Sequence, residues 1–148
     1  MIEDPAQGII VSRKPRINWP VAFVIAGPFI FFIIQLLQGK ALFWGTPVMQ
    51  FVPWRTLAYD QFSAGILPLW NPLSGMGAPL AANYQSALFY PPGFLLYLFY
   101  LIGDAPGVAW GYTLLVPVHL AWAGLGMIQL TRLLNKGKRG QVVAGLAI

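Results

Sequence analysis

Cysteine is absent from this chain, which excludes disulfides, thiol nucleophiles and thiolate metal sites. One histidine and four acidic residues are too few for the chain alone to build a multi-ligand metal cluster. Charge of either sign is scarce: 9% of residues are charged, against roughly 25% in an ordinary soluble domain. Apolar side chains take their place, at 57% of the 148 residues, with 15% aromatic. Such a balance predicts an all-α integral membrane protein, with the lipid bilayer as its first partner. The formal charge of +5 does not point to nucleic acid, because the basic residues mostly flank apolar runs.

Residues 1–18 read as a polar cytoplasmic tail ending in Arg13, Lys14 and Arg16. Residues 19–38 read as a first transmembrane helix, with Trp19 at the interface and a kink expected at Pro28. Its uncharged core, 20–37, is about 27 Å long at helical rise. It exceeds a signal-peptide core, and no small-x-small cleavage site follows it. Residues 107–134 form a second transmembrane helix, 135–140 a basic cytoplasmic loop, and 141–148 the start of a further apolar helix. Arg13, Lys14 and Arg16 at one end and Arg132, Lys136, Lys138 and Arg139 at the other all belong on the cytoplasmic side. Two spans satisfy both clusters, so the apolar stretch 88–103 is expected to be re-entrant or interfacial. With no room in eight residues for a third crossing, the chain reads as the N-terminal portion of a larger protein or as one ending in a partly inserted tail.

Between the spans, residues 39–106 form an outer-face loop dense in Pro, Gly, Asn and aromatic residues. Lipid-facing backbone cannot have this composition, since its N–H and C=O groups would go unpaired. A surface layer can. Within it, 53–64 reads as an interfacial amphipathic helix capped by Gly65. Phe51, Trp54, Leu57, Ala58 and Phe62 share its apolar side, and Arg55, Thr56, Asp60 and Ser63 its polar side.

The motifs of this layer come in a specific order: Phe51-Val52-Pro53-Trp54-Arg55, then Gly65-x-Leu67-Pro68-Leu69-Trp70-Asn71-Pro72. Gly75-x-Gly77-x-Pro79-Leu80 and Asn83-x-Gln85-Ser86-Ala87-x-x-Tyr90-Pro91-Pro92 follow. Together with His119-Leu120-x-x-Ala123-Gly124-Leu125-Gly126-Met127, they resemble the YfhO-like bacterial membrane proteins of the GT-C glycosyltransferase superfamily. The resemblance covers about residues 40–148. It implies a multi-pass protein of the bacterial plasma membrane with its N-terminus in the cytoplasm. The donor would be a polyprenyl-phosphate sugar, used between the outer loop and the membrane. Members of the superfamily usually carry an acidic residue early in this loop. The matching stretch here, Phe43-Trp44-Gly45-Thr46-Pro47, has none.

Each candidate residue therefore carries two readings. Asp60 is either a general base or ligand of a divalent cation, or a solvated side chain on an interfacial helix. Arg55 clamps either the phosphate of a lipid-linked donor or anionic headgroups. Trp70, Asn71, Asn83, Gln85 and Tyr90 form a sugar-binding surface, or they shape turns and pack the layer. His119 hydrogen-bonds a neighbouring helix, or it ligates a bound pigment axially. At the level of the whole protein the two readings are a membrane glycosyltransferase segment and a non-catalytic structural subunit. The second would serve among the membrane protein subunits of a larger, pigment-bearing or plain, assembly.

Overall fold

The computed structural model describes residues 18–42 and 45–148. The basic residues Arg13, Lys14 and Arg16, and Phe43 and Trp44 of the acid-free stretch, lie outside the described residues. The fold is mostly helical: α1 (Trp19–Phe31), α2 (Ile33–Leu37), α3 (Val52–Ser63), α4 (Gly93–Leu133) and α5 (Lys138–Leu146). A two-residue pair, β1 (Trp70–Asn71) and β2 (Ala78–Pro79), closes the loop between α3 and α4. The pairing is antiparallel, Trp70 opposite Pro79.

Among the described residues, one helix is long and apolar enough to cross a bilayer, and it is α4. With 13 residues, α1 alone falls short of the roughly 20 that a hydrocarbon core needs. It continues almost directly into α2. The interruption lies at Phe32 (φ −95°, ψ 7°), four residues beyond Pro28, whose carbonyl accepts the Phe32 N–H at 3.0 Å.

The long helix α4 is in fact a hairpin. Gly103 and Asp104 leave helical space, Asp104 at φ 51° and ψ −140°, and the two arms fold back on each other. Phe99 meets Trp110 with ring centroids 5.1 Å apart, and Gly111 lies against Leu96 and Phe99. Pro106 falls in the first turn of the second arm, where a missing N–H costs nothing. The stretches 88–103 and 107–134, read separately from the sequence, thus fall largely on the short and long arms of one element. Residues 88–92 belong to the turn before it.

The long arm runs antiparallel to α1. Thr113 Oγ1 donates to the Lys40 carbonyl at 3.2 Å at one end, while Val24 meets Gly124 at the other. The third helix of this bundle, α5, doubles back along α4 so that Gly145 reaches the same crossing. The tight turn between α4 and α5 begins at Asn135 (φ 54°), with Lys136 N–H bonded to the Thr131 carbonyl at 2.9 Å.

Packed along the short arm, α3 is buried on two sides rather than lying amphipathically on a surface. Val52 and Tyr59 join Leu96, Val108 and Leu115 in one apolar cluster. Ala58 joins Leu80 and Leu88 in another, with Trp54 and Leu57 against it. The polar side read from the sequence is divided accordingly. Asp60 and Ser63 are exposed, whereas Arg55 is 3% exposed. The reason is that the turn at Ala87, Gly93 at the start of the short arm and Tyr112 of the returning arm all close over the face that carries Arg55. Gly65 ends α3 at φ 73°, its left-handed geometry letting Ile66 N–H reach the Gln61 carbonyl at 2.8 Å.

Candidate functional site

Four of the residues singled out from the sequence, Arg55, Gln85, Tyr90 and His119, line one cavity of about 450 Å³. It opens between α3, the turn at 84–90 and both arms of α4, and its remaining walls are mainly apolar, with Leu96, Leu115 and Val116. Arg55 is its charged group. A guanidinium Nη2–H donates to the Ala87 carbonyl, which the left-handed turn at Ala87 (φ 47°) presents. The guanidinium lies flat against Gly93: a Cβ there would stand 2.9 Å from both terminal nitrogens. Its Nε is buried without a hydrogen-bond partner. Burying a guanidinium costs several kcal/mol, roughly, unless its donors are met. An anion entering the cavity would meet the charge of the guanidinium, and its terminal N–H groups could offer it charge-assisted bonds.

Tyr59 anchors the same region, its hydroxyl donating to the Gly93 carbonyl at 2.7 Å. Burial pushes this phenol up to about 12, with the nearby Arg55 cation opposing part of the shift. A phenol that holds its proton more tightly when folded stabilises fully below its unfolded value. The contribution is lost as pH rises from 10.0 towards about 12. Unfolding followed at pH 8 and pH 11 is therefore expected to show a marked alkaline loss of stability. Tyr59→Phe should cost about 1 kcal/mol at neutral pH and flatten that alkaline slope. An unchanged slope would mean that Tyr59 is not the group responsible.

His119 lies one turn beyond Leu115, and its Nδ1 is 2.6 Å from the Leu115 carbonyl. A carbonyl only accepts, so Nδ1 carries the proton and Nε2 is left to accept the hydroxyl of Tyr90. Both ring nitrogens are occupied, and the two rings stack with centroids 5.7 Å apart. Axial ligation of a pigment would require this pair to separate.

The other candidates are placed elsewhere. Asp60 is exposed and accepts the hydroxyl of Tyr100. That hydrogen bond, with desolvation adding to it, holds the Tyr100 phenol above its ordinary value. Trp70 packs its indole against Gly77, where a Cβ would come within 2.5 Å of Nε1. Asn71 closes a turn by accepting the Leu73 N–H at 2.9 Å. Asn83 caps the 3₁₀ turn Tyr84–Ser86 by accepting the Gln85 N–H at 3.0 Å. The sequence reading missed Ala87 and Gly93. Pro91 and Pro92 stood in the motif read from the sequence, but nothing local showed that a cation would rest on Gly93. Among the described residues, no group of three or more His, Asp or Glu could hold a metal ion. No family model matches the chain, and no curated protein or solved structure matches it either.

Proposed function

We propose that this chain is part of a multi-pass membrane glycosyltransferase-like protein that takes a polyprenyl-phosphate sugar, with the donor phosphate held by Arg55. The observation that carries this reading is a guanidinium only 3% exposed, with an unpartnered Nε, in the wall of an otherwise largely apolar cavity. A phosphate on an apolar chain matches both features of that cavity. The membrane setting is supported by the outward faces of the bundle. Phe31, Ile34 and Leu37 are 77%, 61% and 81% exposed, and Trp122 and Leu133 are 78% and 80% exposed. A soluble monomer rarely shows so much contiguous apolar surface. The antiparallel packing of α1 on α4 brings the start of α1 to the same end as Arg132, Lys136 and Arg139, in keeping with a cytoplasmic N-terminus in a bacterial plasma membrane.

The test is retention of polyprenyl monophosphate against uncharged polyprenol, read by native mass spectrometry of the detergent-solubilised protein. Wild type should favour the phosphate, and Arg55→Gln should lose that preference by about tenfold or more, the scale of a charge-assisted hydrogen bond. Equal retention of both lipids by wild type would overturn the proposal.

One observation favours the second reading, a non-catalytic subunit of a larger membrane complex. Asp60, the carboxylate nearest Arg55 in the sequence of the outer layer, bonds Tyr100 and lies outside the Arg55 cavity. Release of polyprenyl phosphate from a polyprenyl-phosphate sugar, with the sugar passing to an acceptor hydroxyl or to water, would support the enzyme if it is lost in Asp60→Asn. Lipid retention without release, in a stoichiometric assembly with other membrane proteins, would support the subunit.

A further inference from the structure

A second cavity, of about 780 Å³, lies on the other side of the Tyr90–His119 pair, against Pro92, Leu95, Val118 and Trp122. The two cavities share Tyr90, Leu115 and His119 in their walls. One end of the combined space therefore carries the buried cation of Arg55, and the other is an apolar groove without a charged side chain. Two of these shared residues are joined by the hydrogen bond from the Tyr90 hydroxyl to His119 Nε2.

We propose that this hydrogen bond is a latch across one continuous site, and that its opening lets the chain of an anionic amphiphile lie in the Trp122 groove while its head meets Arg55. The inference rests on the reading of Arg55 as a phosphate site and adds to it the residues that select for chain length. The two sides of the latch are built differently. His119 is held by the Leu115 carbonyl through Nδ1, so its ring is fixed in tautomer and position. Tyr90 has its backbone pinned on both sides, N–H to the Ala87 carbonyl at 3.0 Å and carbonyl to the Gly93 N–H at 2.8 Å. Its side chain is 42% exposed, which leaves the ring free to turn about its own rotamers. Tyr90 is therefore the moving half and His119 the fixed half. No carboxylate from α3, the 84–90 turn or α4 lines either cavity among the described residues, so the latch is held by this hydrogen bond and by the stacking of the two rings, which Tyr90→Phe leaves in place.

The experiment compares butyl phosphate, short enough for the Arg55 cavity alone, with hexadecyl phosphate and hexadecanol on the detergent-solubilised chain by native mass spectrometry. Tyr90→Phe removes the donor and keeps the ring; His119→Phe removes the acceptor and keeps the bulk. Each should tighten hexadecyl phosphate by about three- to tenfold, the equivalent of one net hydrogen bond, and leave butyl phosphate unchanged. The double variant should gain no more than either single one. Equal effects on short and long phosphates, or none, would overturn the latch. Wild type that ignores butyl phosphate, while hexadecanol binding still rises in Tyr90→Phe, would overturn the Arg55 reading and leave the latch standing.

Discussion

Gly107→Ala is expected to unfasten the hairpin of α4 and lower stability by about 3 kcal/mol or more, beyond the usual cost of overpacking. A Cβ on Gly107 would stand 2.1 Å from the carbonyl oxygen of Phe99 and 2.9 Å from its carbon. Both are backbone atoms, so no rotamer change relieves the contact, and the arms must move apart. Their separation would uncover Leu96 and Val108, both 0% exposed. Gly103→Ala is the matched control one turn away, since nothing lies within 4 Å of its Cβ. Thermal unfolding in detergent of the two variants side by side reads the difference. A Gly107→Ala protein as stable as the control would mean that the arms do not meet as described.

The second large effect is expected at the crossing of α1, α4 and α5. A Cβ on Gly124 would stand 2.4 Å from Val24 Cγ1 and 2.6 Å from the Gly145 carbonyl oxygen. Val24 is 0% exposed and has nowhere to turn. Gly124→Ala should therefore cost roughly 1–3 kcal/mol. Part of that clash comes from the Val24 side chain and part from backbone, so Val24→Ala should rescue Gly124→Ala only partly. A double-mutant cycle is expected to give a favourable coupling of about 1 kcal/mol. Gly126→Ala, with nothing within 4 Å, should be neutral or stabilising by up to about 1 kcal/mol, as helix propensity alone dictates. Equal costs at 124 and 126 would show that Gly124 does not face Val24 and Gly145 at the crossing.

These two glycines illustrate how far the sequence could be read. Gly124 and Gly126 stand beside His119 in the sequence, and a missing Cβ is what lets helix backbones approach. Which of the two glycines faces the neighbour depends on the rotation of α4 about its axis, and no pattern in Ala123-Gly124-Leu125-Gly126 states that rotation. The same holds for Arg55. Its place on α3 followed from helical periodicity, but its burial followed from the turn at Ala87 and the start of the short arm at Gly93, 32 or more residues later along the chain.

By itself, the sequence determined the helical class, the positions of the apolar runs and the turn-rich layer between them. Those features are local: apolar content, Pro and Gly punctuation and periodicity act within a few turns of chain. It also carried the capping of α3 at Gly65 and the turn at Asn71, which depend on neighbouring residues alone. Only the tertiary structure decided that α4 reverses at Gly103–Asp104. Tertiary contacts alone brought Arg55, Gln85, Tyr90 and His119 to one cavity and left Asp60 outside it with Tyr100. Such choices depend on packing between distant segments, where a carbonyl at Ala87 or a missing side chain at Gly93 sets what a buried cation can touch. Side-chain chemistry could be read along the chain; which side chains share a cavity was decided by the fold.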